Sequence, residues 1–270
     1  DYKQDHYQLH ISQRISELWN ATVSLHYTNG SGFFEQYKQS EPFASLGLPD
    51  VIIGGATIQE SDVIVRRWLD NDYYGTTFSA NYGKNSTDLT FGGAFSRYDN
   101  ARHFGEIIWS EISQNVPVRY VYYDGESEKT DVNFYTKWNQ SFSEKFSTYV
   151  DIQYRKVTYE TAGVDNDQTR YSVSDEFLFL NPKAGITYML TPDDILYSSY
   201  AIANREPSRT DYLEGSEKPK SEKLGNLEIG WRKSKPRFAG ELNYYLMNYT
   251  DQLVLTGAVS DTGYPIRANV

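Results

Sequence analysis

Residues 7–27 read YQLHISQRISELWNATVSLHY, and this stretch decides the fold. Apolar residues occupy nearly every second position on both sides of Ser16-Glu17, namely Tyr7, Leu9, Ile11, Ile15, Trp19, Ala21, Val23, Leu25 and Tyr27. A period of two sends alternate side chains to opposite faces, so each half is predicted to be a β-strand with one apolar and one polar face. Because only a few residues join the halves, the two strands must form an antiparallel hairpin.

The same unit recurs along the chain. Further pairs of alternating segments are joined by short turns at 84–86, 143–145, 192–194 and 233–235. Another strand is predicted to begin near Pro265, which brings the predicted number of strands to about eleven.

Long segments separate these hairpins. The stretches 29–71, 99–130, 156–178 and 203–223 are polar and rich in Gly, Asp, Ser and Tyr, and we predict that they are loops. They always fall at the end of the strands opposite to the short turns. Bacterial outer-membrane barrels have this asymmetry, with short periplasmic turns and long extracellular loops.

Aromatic residues make up 16% of the chain and mark both ends of the apolar faces. Trp19, Trp138 and Trp231 lie beside short turns, whereas Tyr27 and Tyr154 lie toward the long segments. Trp19 and Tyr27 are roughly 26 Å apart along a strand, or roughly 20 Å after tilting, close to the ~25 Å apolar band of a membrane barrel. The pattern predicts an all-β protein, a transmembrane antiparallel β-barrel in the outer membrane of a Gram-negative bacterium. The alternative is a soluble sandwich with large loops.

The composition narrows the possible partners. Mean hydropathy is −0.63 and no run approaches the ~20 apolar residues of a membrane helix, but a barrel strand needs only every second residue to be apolar. A net charge of −10 argues against a nucleic-acid partner. The expected environment of the apolar strand faces is the lipid of the outer membrane. The absence of cysteine excludes disulfides and thiolate metal sites.

The sequence contains no pattern that predicts an enzyme. The four histidines (His6, His10, His26 and His103) are scattered, and His6 and His10 would lie roughly 13 Å apart on a strand, too far to bind one metal ion. No paired acids, nucleophile with its base, or phosphate-binding loop occurs. We therefore expect no catalytic residue, no metal site and no cofactor.

The predicted loop 99–130 is the best candidate for a binding surface. It carries aromatic rings and cationic side chains at His103, Trp109, Arg119, Tyr120, Tyr122 and Tyr123. Rings can hold an aromatic iron chelate by stacking, and arginine suits carboxylate or catecholate oxygens. The simpler reading of any one of these residues is that it continues a strand or packs on a neighbouring loop.

Several motifs resemble a known family. They are the segments 203–212 (ANREPSRTDY), 219–224 (PKSEKL), 227–232 (LEIGWR), 244–254 (YYLMNYTDQLV) and 265–270 (PIRANV). In this order they resemble the barrel of TonB-dependent outer-membrane receptors, particularly the siderophore-receptor type of Bacteroidetes. The resemblance extends over nearly the whole chain.

The resemblance implies a single domain of which this chain is one part. Such receptors have a barrel of 22 strands, an N-terminal plug and a TonB-binding box, so residues 1–270 are expected to form about half of the barrel. The plug domain and the C-terminal strands are expected to lie outside this chain.

The resemblance also implies a function. The expected activity is active import of a scarce ligand, a ferric siderophore or a similar chelate, with energy supplied by the TonB–ExbB–ExbD complex. The lumen would be lined by polar residues such as Asn20, Thr22, Asn133, Lys137, Asp151, Gln153 and Arg155. A passive channel or a surface-binding protein without energy coupling is the alternative.

The motif from Arg205 to Tyr212 has a structural interpretation. Pro207 is predicted to set a turn at the barrel rim, and Arg205, Glu206, Arg209 and Asp211 are predicted to pair locally.

Overall fold

A computed structural model describes residues 1–114, 116–213, 215, 217–259 and 265–270. Its long strands are β1 (Tyr2–Arg14), β2 (Trp19–Pro42), β5 (Glu60–Lys84), β6 (Thr87–Ser110), β7 (Tyr120–Ser141), β8 (Phe146–Val164), β9 (Arg170–Thr191), β10 (Asp194–Arg205), β11 (Glu222–Lys235) and β12 (Phe238–Thr250). Short elements are β3 (Val51–Ile53), β4 (Ala56–Ile58), β13 (Leu253–Val259), β14 (Pro265–Asn269), a 3-10 helix (Phe43–Leu46) and α1 (Arg209–Leu213). None of the described helices is long and apolar enough to cross a membrane.

The ten long strands form one antiparallel sheet in chain order. In the first hairpin Tyr7 pairs with Tyr27, Leu9 with Leu25 and Ile11 with Val23, as the alternation predicts. We call the side of the sheet that carries these residues the apolar face, and the opposite side the polar face. The register keeps the two faces distinct from strand to strand, because a slip of one residue would exchange them.

The short turns are built from local hydrogen bonds. Ser16 Oγ accepts hydrogen bonds from the amides of Leu18 and Trp19, both at 3.2 Å. Ser143 Oγ does the same for Lys145 and Phe146, at 3.3 and 3.1 Å. Each serine thus satisfies two backbone donors where the ladder is interrupted, which explains how such short connections reverse the chain.

The long segments contain more strand than the sequence indicated. The predicted loop 29–71 is wrong over most of its length. β2 and β5 pair from Trp19–Tyr82 to Pro42–Glu60, with one irregularity between Lys38 and Glu41, and only 43–59 lies between these two strands. The other three loops likewise shrink to 111–119, 165–169 and 206–221. Outside lipid neither face must be apolar, so strand pairing continues after the alternation has ended.

The predicted strand near Pro265 is present as β14, but it pairs with β13 in a separate two-stranded sheet. A second small hairpin, β3–β4, lies between β2 and β5. Both additions are at the end of the sheet opposite to the short turns, which we call the long-loop end.

Aromatic rings contact one another at both ends of the apolar face. Near the short turns, Trp19 and Tyr82 have ring centroids 5.1 Å apart, and Phe142 stacks on Phe146 at 5.7 Å. Toward the long-loop end, Tyr7 and Tyr27 stack at 6.1 Å. The two bands of rings therefore lie where the sequence predicts them.

The hydrophobic core of the described residues lies at the long-loop end. Its buried members are Phe43, Leu46, Val51, Val63, Val65, Ile107, Val116, Tyr122 and Tyr123, which we call the apolar cluster. Val63 and Val65 lie on the polar face, because they are an even number of residues from Asn71 and Tyr73 on the same strand. Since the segment 43–59 packs against these two valines, it folds onto the polar face. The side chain of Gln168, in the loop 165–169, donates to the carbonyl of Tyr122 on β7 at 2.8 Å and to that of Ser45 in the segment 43–59 at 3.3 Å. It therefore links the two connecting segments.

Candidate functional site

The six loop residues that the sequence suggests for ligand binding do not form one group. Tyr122 and Tyr123 are 5% and 4% exposed within the apolar cluster, with their rings edge to face at 4.9 Å. Burial raises the pKa of the Tyr122 phenol, which keeps it neutral. Both rings stabilise the cluster in this arrangement, and contact with a ligand stays a prediction for them.

The side chains of Trp109, Arg119 and Tyr120 share no hydrogen bond or ring contact with one another in the described part of the chain, although Arg119 and Tyr120 are consecutive. Trp109 is 45% exposed on β6. Arg119 donates through Nε to Glu106 at 3.1 Å, and the Tyr120 hydroxyl lies 3.4 Å from the carbonyl oxygen of Gly47. Their role in ligand contact also stays a prediction.

His103 borders a cavity of about 130 Å³ at the long-loop end, beside the apolar cluster. The walls that matter chemically are Arg67 from β5, Tyr123 from β7, Asp165 from the loop before β9, and Arg209 from α1. These residues come from four separate parts of the chain. We call this the His103 pocket.

Hydrogen bonds organise the His103 pocket around the imidazole. Arg209 Nη2 lies 2.9 Å from His103 Nε2, and the Tyr171 hydroxyl lies 3.2 Å from the same nitrogen. A guanidinium has only donors, so Nε2 must carry a lone pair and the imidazole must be neutral. Arg67 Nε donates to the Tyr123 hydroxyl at 3.2 Å.

The electrostatics of the pocket agree with a neutral histidine. Burial lowers the pKa of His103, and the nearby Arg209 guanidinium lowers it further. The carboxylate of Asp165 lies 3.5 Å from the Arg209 guanidinium, which borders the cavity. Arg209 Nε is buried and has no hydrogen-bond partner among the described residues, which leaves the pocket with an unused donor.

Arg209 belongs to a segment that is fastened to the polar face of the sheet. We call residues 206–213 the strap. Glu206 accepts hydrogen bonds from Arg155 at 2.8 and 2.9 Å and from Lys129 at 2.7 Å. Tyr212 donates to Asp175 at 2.7 Å. Arg209, midway between Glu206 and Tyr212, contacts His103 on β6. The three fastenings are three residues apart, so one side of the strap lies against β6 to β9.

This arrangement corrects part of the prediction for the motif. Asp211 does pair locally, accepting from the Ser208 amide and hydroxyl at 2.8 and 2.7 Å. Arg205 instead pairs with Glu222, and Glu206 and Arg209 reach distant strands. Local pairing was wrong for these three residues because the chain turns inward after β10 rather than along the rim.

Sequence reasoning missed three members of the site, namely Arg67, Asp165 and Tyr171. Arg67 lay in a segment predicted to be a loop, although its place on the polar face follows from the regular pairing of β5 with β2. Continuing the alternation upward from Tyr73 could have found it. No comparable signal exists for Asp165. Among the described residues, no group of His, Asp and Glu side chains could hold a metal ion.

Comparison with known proteins identifies the family. The family model described as "TonB dependent receptor-like, beta-barrel" matches residues 1–269. The chain belongs to this family. It is therefore part of a TonB-dependent receptor barrel in the bacterial outer membrane, with the short turns on the periplasmic side and the long-loop end outside.

Solved structures of similar fold are transport receptors rather than enzymes. "Copper transporter OprC" has a TM-score of 0.73 and 12% identity, and the match covers 100% of this chain and 42% of that one. "Ferric citrate transporter FecA" has a TM-score of 0.61 and 11% identity, and the match covers 93% of this chain and 35% of that one. The closed form of "Ferric-Catecholate import receptor Fiu" from E. coli has a TM-score of 0.57 and 11% identity, and the match covers 99% of this chain and 43% of that one.

The chain spans less than half of each of these receptors. At such low identity the likeness shows the fold alone. No curated protein matches the chain in sequence.

Proposed function

We propose that the TonB-dependent receptor barrel to which this chain contributes actively imports a scarce ligand, a ferric siderophore, across the outer membrane. The observation that carries the proposal is the family match over residues 1–269. Energy would come from the TonB–ExbB–ExbD complex, and residues 1–270 would be one part of a single barrel domain that surrounds a plug. Outer-membrane lipids would cover the apolar face.

The chemistry of the His103 pocket supports an anionic ligand. The Arg209 guanidinium borders the cavity with a buried Nε that has no hydrogen-bond partner among the described residues, and the imidazole beside it is neutral. Ferric chelates of the catecholate or carboxylate kind present oxygen anions, which arginine binds through charge-assisted hydrogen bonds. The exposed Trp109 could stack on an aromatic chelator, and Arg119 and Tyr120 complete the predicted contact set.

Growth on defined iron sources tests the function. A strain that lacks the gene is supplied with ferric citrate, a ferric tricatecholate or no chelate, and complemented with the full-length receptor. We expect complementation to restore growth on one chelate, and purified full-length receptor to bind that chelate. Arg209→Gln should weaken binding by about tenfold, the loss of one charge-assisted contact, whereas the exposed Glu217→Gln should not.

Energy coupling needs a separate test. Removing the TonB-binding segment of the full-length gene should abolish uptake and leave binding intact. Uptake that persists without this segment, together with open-channel conductance of the parent receptor in planar bilayers, would favour a passive channel. Binding without uptake in the parent receptor would favour a surface-binding protein.

A further inference from the structure

The three fastenings of the strap differ in how they respond to acid. Burial alone would raise the pKa of Glu206, but hydrogen bonds from Arg155 and Lys129 hold it at about 2. The Tyr212 hydroxyl donates to Asp175 and is neutral, since burial and that carboxylate raise its pKa. Neither the Glu206 carboxylate nor the Tyr212 hydroxyl changes charge between pH 5 and pH 8. In the middle fastening Arg209 donates to the His103 imidazole at 2.9 Å, and it also reaches the Tyr171 hydroxyl at 3.3 Å and the Asp165 carboxylate at 3.5 Å. Imidazole is the one common side chain that titrates in that interval.

The surroundings of His103 show what a proton would meet there. The charged and titratable groups that face it are Arg67 from β5, Tyr123 and Asp124 from β7, Asp165 from the loop before β9, Tyr171 from β9 and Arg209 from α1. A proton on Nε2 would remove the only acceptor that His103 offers to Arg209. It would also place two cations about 3 Å apart where the arginine now donates. Asp165 and Asp124 offset that repulsion only in part, because burial and the two arginines dominate.

We propose that the contact between His103 and Arg209 is an acid-sensitive latch that holds the middle of the strap on the barrel wall. Protonation of His103 releases Arg209 and opens the His103 pocket toward the lumen, while Glu206 and Tyr212 keep the two ends of the strap in place. The proposal goes beyond import and does not depend on it, since it concerns the equilibrium between a fastened and a released strap.

The direction of the effect follows from linkage. His103 binds a proton less readily when the strap is fastened than when it is free, because its pKa is lowered from 6.5 in the fastened state. The released state therefore binds more protons, and fastening becomes more stable as pH rises. Acid below pH 6.5 should release the strap, and neutral pH should restore it.

Hydrogen exchange on the full-length receptor in outer-membrane vesicles tests the latch. Peptides that cover 206–213 are compared at pH 7.5 and pH 5.0, with exchange corrected for the intrinsic rate at each pH. We expect protection of these peptides to fall on the order of tenfold in acid. Peptides from β8 next to the strap should keep their protection.

Variants of the pocket separate the latch from a general effect of acid. His103→Gln retains a hydrogen-bonding side chain that does not titrate, so its strap should show equal protection at both pH values; His103→Asn serves if the glutamine variant does not assemble. Tyr171→Phe removes a hydroxyl from the same cluster and should retain the pH response. Equal protection at both pH values in the parent receptor, or an unchanged response in the histidine variants, would overturn the proposal.

Discussion

Glu206 illustrates how a single side chain can fasten a loop to strands that are distant in sequence. Its carboxylate is 9% exposed and meets Arg155 and Lys129, which lie on β8 and β7. Its pKa of about 2 lies below the ordinary value, so the carboxylate is ionised in the fold at any physiological pH. A lowered carboxyl pKa stabilises the fastened state above pH 4.5, and that stability is lost only as the pH falls through about 2.

Replacing this carboxylate should release the first residues of the strap. Glu206→Gln keeps the shape but removes the carboxylate that pairs with Lys129 and one of the two that pair with Arg155, the other being Asp131. We expect local opening of 206–213 to become easier by about 1–3 kcal/mol. Hydrogen exchange of the full-length receptor at pH 7.5 measures this directly. The matched control is Glu217→Gln, whose exposed side chain forms no ion pair among the described residues. Equal protection of the strap in the two variants would contradict the fastening role.

At the scale of the strands, tyrosines on the polar face lie across glycines of the neighbouring strand. Tyr149 is directly opposite Gly185, and a Cβ added to that glycine would lie 2.5 Å from the tyrosine ring. The pairs Tyr135–Gly92 and Tyr197–Gly230 repeat the arrangement. A ring that covers a glycine lies flat on the wall, so these bulky side chains line the lumen without filling it.

This pairing predicts a coupled effect of two mutations. Gly185→Ala should destabilise the barrel by about 1–3 kcal/mol, because the new methyl group meets the Tyr149 ring and also the Ser198 carbonyl at 3.0 Å. In a Tyr149→Ala background, Gly185→Ala should lower the free energy of unfolding by about 1 kcal/mol less than it does in the parent. Urea unfolding of the full-length receptor in lipid vesicles gives the four free energies. Gly83→Ala, which meets nothing closer than 3.3 Å, is the control, and strictly additive costs would exclude the coupling.

The extent of the strands marks the limit of what alternation can predict. Within the apolar band each face has one required polarity, so the pairs from Trp19–Tyr82 to Tyr27–Tyr74 follow directly from the sequence. Above the band β5 continues through Arg66 and Arg67, which lie on opposite faces and are both polar. The contrast between apolar and polar positions is lost there, so a residue's face can be assigned only by counting on from the alternation below. Strand bounds on the extracellular side therefore depend on pairing between segments and not on either segment alone.

At the scale of the whole molecule, two segments fold inward at the long-loop end, and one of them helps to form the site. The segment 43–59 brings apolar side chains to the polar face, and the strap brings Arg209 to His103, 106 residues away in sequence. The His103 pocket forms beside the apolar cluster, where the strap and the loop 165–169 meet the wall. Its chemistry could be partly anticipated, since His103 and Tyr123 stood out in the sequence. Which other residues line the pocket could not be anticipated, because no local pattern indicates which strand a loop residue will contact.

The orientation of the two faces leads to a final prediction about the barrel as a whole. Val23 lies midway between Trp19 and Tyr27 on the apolar face, and Thr22 precedes it on the polar face beside Ser12. Val23→Arg places a charge near the middle of the lipid band and should destabilise the full-length receptor by about 2–4 kcal/mol, measured by urea unfolding in vesicles. Thr22→Arg introduces the same charge one residue away but toward the lumen, where water and polar side chains can solvate it, and should cost much less. Equal costs at the two positions would mean that the faces are not divided between lipid and lumen, and would remove the basis for a barrel wall built from this sheet.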